Sequence, residues 1–377
     1  MRNLRILGGW RECLGVAALL ATAAAVAAQQ PQRPSDAPQF QNAKLEQRAL
    51  AGPLAADLNA WIAASGSARW LGYAVPAQKH DQHICCGEGA NWNHRKCGPC
   101  ALEGTRGGDY SNDAVSRDTA KLEGNEFAVI LLRAENKRLG KIRVFSEDCA
   151  LDAGGLSITW LSMVNPAESV AYLEKRIDAS ELDEHGGDER VSRGALTAIA
   201  MHGDPSADQA LARLTAPDKP EGLRKEAAFW TGEARGAAGL AILKRMAKED
   251  PSSEVRAHVA FALSLNHEPD ALNEMIRMAH DDSSAHVRSQ ALFWLAQKAG
   301  TKASSTITAA IENDPDTEVK KKAVFALSQM PKDQGVPKLI EVAQNNRNPE
   351  VRKQAMFWLG QSNDPRALEF FEKILAK

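Results

Sequence analysis

The sequence predicts a mainly helical protein, in which a C-terminal α-solenoid of six 32-residue helix pairs follows a small α+β domain. Three observations predict this. A Val-Arg-x-x-Ala-like motif with an aromatic close behind it starts at Leu223, Val255, Val287, Val319 and Val351, each 32 residues after the last, and a weaker copy starts at Val191. Each copy is followed by a second apolar-periodic segment. Residues 44–165 lack the repeat and carry alternating apolar runs instead. An unbroken period of this length means one supersecondary unit stacked on copies of itself.

Residues 1–28 read as a secretory signal. Arg2, Arg5 and Arg11 form a charged start, Leu14–Val26 is apolar but short for a membrane span, and Ala25-Val26-Ala27 or Val26-Ala27-Ala28 offers a small-residue cleavage site. The expected product is exported, periplasmic or secreted, and not stably inserted in a membrane. Residues 29–43 form a Gln/Pro-rich flexible leader. Loss of residues 1–28 removes those three arginines and Glu12, taking the formal charge from −2 to −4. That balance excludes an electrostatic footprint for nucleic acid.

The middle domain is expected to span residues 44–165. Lys44–Ala64 reads as a helix and Trp70–Val75 as a strand. Phe127–Arg133 and Lys141–Phe145, joined through Asn136-Lys137, read as a hairpin, and Ile158–Leu161 as a last strand. Residues 166–190 then supply a helix, Pro166–Ile177, able to cap the open end of the array, and an acidic linker, Glu181–Glu189.

Within the repeats (residues 191–377), Asp250 and Pro251 suit a helix start. Val255, Val259, Ala262 and Leu263 line one face of that first helix, and Asn266, His267 and Pro269 break it. Leu272, Met275, Ile276 and Met278 mark the second helix. Two ladders run in register. Asp218, Asp250, Asp282, Asp314 and Asn346 precede the motifs by five residues; Arg224, Arg256, Arg288, Lys320 and Arg352 follow their starts by one. A basic stripe can bind a ligand. Because acids accompany the bases, a structural ladder of exposed pairs worth about 0–1 kcal/mol each is the favoured reading. The position seven after each start alternates Trp230, Ala262, Trp294, Ala326, Trp358, and the one before it is Phe229, Phe261, Phe293, Phe325 and Phe357. Large–small interdigitation in the core is favoured over an aromatic binding strip.

The repeats resemble short HEAT repeats of the phycobilisome-lyase type. Val351-Arg352-Lys353-Gln354-Ala355-Met356-Phe357-Trp358-Leu359-Gly360, followed by Asp364-Pro365, carries the likeness. Segments 70–76, Cys85-Cys86 and 149–155 also resemble a domain that precedes HEAT repeats in exported bacterial proteins. The resemblance implies the fold and no reaction. Bilin lyases and deoxyhypusine hydroxylase share such repeats, but the hydroxylase likeness would need several His-Glu pairs, and this chain has only His267-Glu268, in a turn.

The remaining cysteines, Cys85, Cys86, Cys97, Cys100 and Cys149, all lie in the middle domain, and in an exported protein disulfides are the default. An odd cysteine is left over, with Cys149 the candidate. Two alternatives stand beside this. Cys97-Gly98-Pro99-Cys100 matches a thiol-redox tetrapeptide, but a polar loop precedes it rather than a strand. His80, His83, Cys97 and Cys100 offer two nitrogens and two thiolates, a tetrahedral zinc set. The expected function is a non-enzymatic scaffold that binds a protein or peptide on its helical surface, without catalytic residue or cofactor. The alternative is thiol-redox or zinc-dependent activity in the His/Cys cluster.

Overall fold

The computed structural model describes residues 37–78, 100–103, 126–182 and 191–376. The signal segment, most of the leader and acidic linker, and His80, His83, Cys85, Cys86 and Cys97 lie outside the described residues. The chain runs β1 (Phe40–Gln41), β2 (Lys44–Ala49), α1 (Leu54–Ala63), β3 (Arg69–Pro76), β4 (Cys100–Ala101), β5 (Phe127–Glu135), β6 (Arg138–Ser146), β7 (Leu151–Asp152), β8 (Ser157–Ser162) and α2 (Pro166–Glu174). Six helix pairs follow: α3 (Ser192–Met201) with α4 (Pro205–Leu214), α5 (Glu221–Ala234) with α6 (Gly236–Glu249), and α7 (Ser253–Leu265) with α8 (Pro269–Asp281). They continue as α9 (Ala285–Ala299) with α10 (Ser304–Asn313), α11 (Thr317–Ser328) with α12 (Lys332–Asn345), and α13 (Pro349–Gln361) with α14 (Pro365–Leu375).

The five-stranded sheet has the order β2-β8-β3-β5-β6. β8 pairs parallel with β2 and β3, while β3-β5-β6 is antiparallel. Period-two alternation sorts its side chains. Leu71, Tyr73, Val75, Ala128, Ile130 and Leu132 join one core with α1, α2 and the repeats. Trp70, Phe127, Val129, Leu131, Ile158 and Trp160 form a second core on the other face, under Leu102 and Leu151. Gly72 makes room there: a Cβ would lie 2.5 Å from Leu131 and 2.9 Å from the Trp160 ring. The β5–β6 hairpin turns at Asn136 and Lys137, with φ of 51° and 61°, the paired positive values that match strand twist in a two-residue turn.

The expected helix over Lys44–Ala64 is corrected: its first part is β2, and only Leu54–Ala63 is helical. Lys44–Ala49 consists of helix-tolerant residues, but its backbone is taken up by pairing along β8, and Gly52-Pro53 breaks the chain before α1. A small parallel sheet, β1-β7-β4, also goes unsignalled, because two-residue strands carry no periodicity.

The array adjoins the sheet directly. α3 packs on β6 so closely that a Cβ on Gly194 would lie 2.2 Å from the Ile142 carbonyl oxygen. Gly203 N–H donates to Pro76 O (2.7 Å) and Gln78 N–H to Met201 O (2.8 Å), stitching the end of β3 to the α3–α4 turn. α2, capped by Asn165, packs on α3 and α4. Along the array the first helices of successive pairs contact one another far more extensively than the second helices do.

Candidate functional site

Three rungs of the acid–base ladder close, each between one repeat's arginine and the next repeat's aspartate. Arg224 clasps Asp250 at 2.8 and 3.0 Å, Arg256 clasps Asp282 at 2.8 and 3.0 Å, and Arg288 clasps Asp314 at 2.7 and 3.0 Å. The same arginines also donate to carbonyls of their own turn, Asp250 O for Arg256 and Asp282 O for Arg288. Each aspartate accepts the N–H two residues on: Ser252, Ser284 and Asp316. Asp250 therefore shapes the turn, and Ser252 caps the helix.

These rungs are not the exposed pairs expected. The Arg224 and Asp250 side chains are 5% and 1% exposed, because the neighbouring repeat covers the turn. Burial works to raise the Asp282 carboxyl, but Arg256 and the Ser284 N–H together hold it below its ordinary value, and hydrogen bonding to Asp282 raises Arg256. The outer members do not form rungs. Asp218 pairs with its neighbour Lys219, Lys320 donates to Glu312 O, and Arg352 donates to Asn346 O and Arg347 O. Asn346 keeps the turn, accepting from Asn348 N–H at 2.9 Å, but has no charge to offer Lys320.

The aromatic positions are not fully core either. Trp230, Phe229, Phe261, Trp294, Phe293, Phe325, Trp358 and Phe357 form a line of successive neighbours with centroids 4.6–6.0 Å apart. All are half-buried except Phe357, which is exposed, whereas the alternating Ala262 and Ala326 are fully buried. The rings pack on each other along the first helices, and Trp230, Trp294 and Trp358 also pack against the core. Beside them, burial pushes His258 down to about 4.

Sequence reasoning gave no hint of a buried polar chain where sheet and array meet. Tyr73 OH lies 2.8 Å from Ser169 Oγ, which lies 3.0 Å from His202 Nε2; Nδ1 of that ring lies 2.6 Å from Ala198 O. Burial pushes His202 down to about 4 and Tyr73 upward. Arg235, tied to Asp208 at 2.8 Å, donates to the Ala200 and His202 carbonyls. The three groups come from β3, α2 and the end of α3, so no spacing marks them. Being sealed from solvent, they hold the junction and have no route to a substrate.

Cys100 and Cys149 are both disulfide-bonded and buried, which corrects the reading of Cys149 as the odd cysteine. A thiol committed to a disulfide is not a thiolate ligand, so the zinc set is not available with Cys100 in this state. Among the described residues no cluster of three or more His, Cys, Asp or Glu side chains could hold a metal ion, and no helix is long and apolar enough to cross a membrane.

The family model for HEAT repeats matches residues 216–296 and 304–377, the stretch that carries the rungs and rings. The C-terminal array is a HEAT-repeat region. Solved structures with similar chains include human deoxyhypusine hydroxylase in complex with glycerol (17% identity, 55% of this chain and 90% of that one, TM-score 0.28). Others are the CpcE–CpcF complex of phycocyanin lyase from a Nostoc species (18%, 55% and 80%, 0.30) and YibA from Escherichia coli (23%, 57% and 82%, 0.35). No curated protein matches the chain. Likeness at this level carries no reaction or partner across to the HEAT array described here.

Proposed function

We propose that the protein is an exported, non-enzymatic scaffold that binds a protein or peptide segment along the first-helix face of its HEAT array. The observation that carries this reading is the line of rings from Trp230 to Phe357, half-buried but for exposed Phe357, held on a core that is continuous from the sheet to the last pair. Rings that are rigid and partly wet supply contact area at low ordering cost. The charges best placed to do chemistry in the array are instead committed to Arg–Asp rungs. Export rests on the charged, apolar and small-residue succession of residues 1–28, and the disulfide-bonded Cys100 and Cys149 suit an oxidising compartment.

Photo-crosslinking in the intact cell tests this. A photoreactive residue at Gln290, Lys322 or Gln354, on the first helices that carry the rings, is expected to give discrete protein adducts in the exported fraction. A folded protein that gives no adduct from any of the three, or that is retained inside the cell, sinks the reading.

A further inference from the structure

A cavity of about 190 Å³ lies between the fifth and sixth helix pairs, lined by Leu327, Ser328, Met330, Trp358, Gln361 and Ser362 among others. One wall is the carboxyl end of α11, where the partial negative charge of a helix gathers on its last carbonyls. Two repeats earlier, the Lys298 ammonium donates to Leu263 O (3.3 Å), Ser264 O (2.7 Å) and Asn266 O. Leu327, Ser328 and Met330 stand in the registers of those three residues. Two repeats earlier again, Arg235 donates to the carbonyls of Ala200 and His202, which share the registers of Ser264 and Asn266.

Arg235 and Lys298 each stand at the end of a tryptophan-bearing first helix, α5 and α9. α13 is the third helix of that type, and Ser362 and Asn363 stand there in the registers of Lys298 and Arg235. Ser362 Oγ bonds back to Leu359 O of its own helix (2.7 Å), and the cavity takes up the space before α11. The carbonyl ends are shaped alike: Leu327 O accepts from Met330 N–H (3.2 Å) as Leu263 O does from Asn266 N–H (3.3 Å). Met330, one repeat before Ser362 in the same register, shows that a long uncharged side chain there is buried. Equivalent helix ends are thus met twice by a cation of the chain and once by a cavity with a tryptophan in its wall.

We propose that this cavity binds a primary ammonium group on an alkyl stem, supplied from outside the chain, in the place that Lys298 fills two repeats earlier. An ammonium carries three donors for the carbonyls of Leu327, Ser328 and Met330. The Trp358 ring offers an apolar wall to the stem and a π system to the charge. A stem of about four carbons, the length of the lysine side chain, suits the volume. Lys332 also lines the cavity and opposes a cation, but it is exposed, so its ammonium stays in water. A free alkylamine and a lysine of a bound protein share this chemistry. The inference does not rest on the scaffold reading: amine binding without crosslinked protein keeps the one and sinks the other.

The probe is n-butylammonium, titrated into the full chain and followed by the Trp358 indole N–H resonance, which Trp358→Phe identifies by its loss. That Nε1 is buried without a partner among the described residues, so its signal reports on the cavity and not on bulk water. A saturable shift is expected, with a dissociation constant of about a millimolar. The isosteric n-butanol, which has the stem without the charge, should give none. Ser362→Lys should abolish binding and raise the melting temperature, because an internal ammonium takes the site. Ser362→Met fills the cavity without charge and should abolish binding with a smaller rise. N-acetyl-lysine methylamide separates the sources: binding at least as tight as that of n-butylammonium assigns the site to a partner's lysine, and weaker binding to a free amine. Equal shifts from the alcohol and the amine overturn the proposal, as does the absence of a saturable shift. Undiminished binding to both Ser362 variants overturns it too.

Discussion

At its sheet-proximal end the array is sealed. Gly194 lets α3 lie against the backbone of β6, Gly203 N–H donates to Pro76 O at the end of β3 while Gln78 N–H donates to Met201 O of α3, and His202 reaches Tyr73 through Ser169. At the far end the same helical units expose leucines, an isoleucine and a phenylalanine, and among the described residues no acid meets Arg352, which donates to carbonyls of its own turn. Between them stand three charged rungs, the Arg224–Asp250 one buried and the other two nearly so. One repeat sequence thus acquires three environments, and what a residue contributes depends on which neighbour covers it.

The sharpest way to break this contrast is to cut a rung. Asp250→Ala leaves the Arg224 guanidinium buried without its acid and should cost about 3–5 kcal/mol in urea denaturation, whereas Arg352→Ala, which loses only turn carbonyls, should stay within about 0.5 kcal/mol. Equal costs would show that rung burial is not what separates interior from end.

Acid should reach the sealed end before the rungs. An unfolded imidazole takes its proton below about 6.5, but buried His202 only near 4. Between those values the unfolded state binds more protons, so stability falls as pH falls, by about 3 kcal/mol across the window. His202→Gln should remove much of that slope, with His258 supplying what remains in the same window. The Asp282 carboxyl is depressed, so its contribution is present above the ordinary carboxylate value of about 3.9 and is lost only as pH falls further. A melting temperature flat from pH 6.5 to 4 contradicts this account of the junction.

A single substitution type made at both ends should have opposite signs. Gly194→Ala forces a Cβ against Ile142 O and should destabilise by about 1–3 kcal/mol. Gly360→Ala, on a helix with nothing within 4 Å, should stabilise by about 0.5–1 kcal/mol in thermal melts. The smallest effect is expected from Asn346→Asp, which keeps the turn and gives Lys320 an acid. A gain of no more than about 1 kcal/mol is anticipated, with an arginine at 320 as well needed to rebuild a two-bond rung.

Much of the fold was legible because repetition and alternation are local. Val255, Val259, Ala262 and Leu263 announce an apolar helix face, and all four are fully buried. Phe127–Arg133 and Lys141–Phe145 announce a hairpin, and β5 and β6 form it. Lys44–Ala49 was misread because its composition suits a helix, while its pairing partner lies more than a hundred residues away in β8. Tyr73, Ser169 and His202 were invisible as a site for the same reason. The ladder was visible as a pattern, but its burial was not.

The sequence by itself determined the repeat unit, its count and its register, because the period of apolar residues dictates which face of each helix must be covered. Only the tertiary structure decided what covers each face: a strand for Gly194, the next repeat for Asp250, and no described residue for Phe357 and Leu375. Burial of a charge or exposure of a leucine is a property of two surfaces in contact, and a local period describes only one of them.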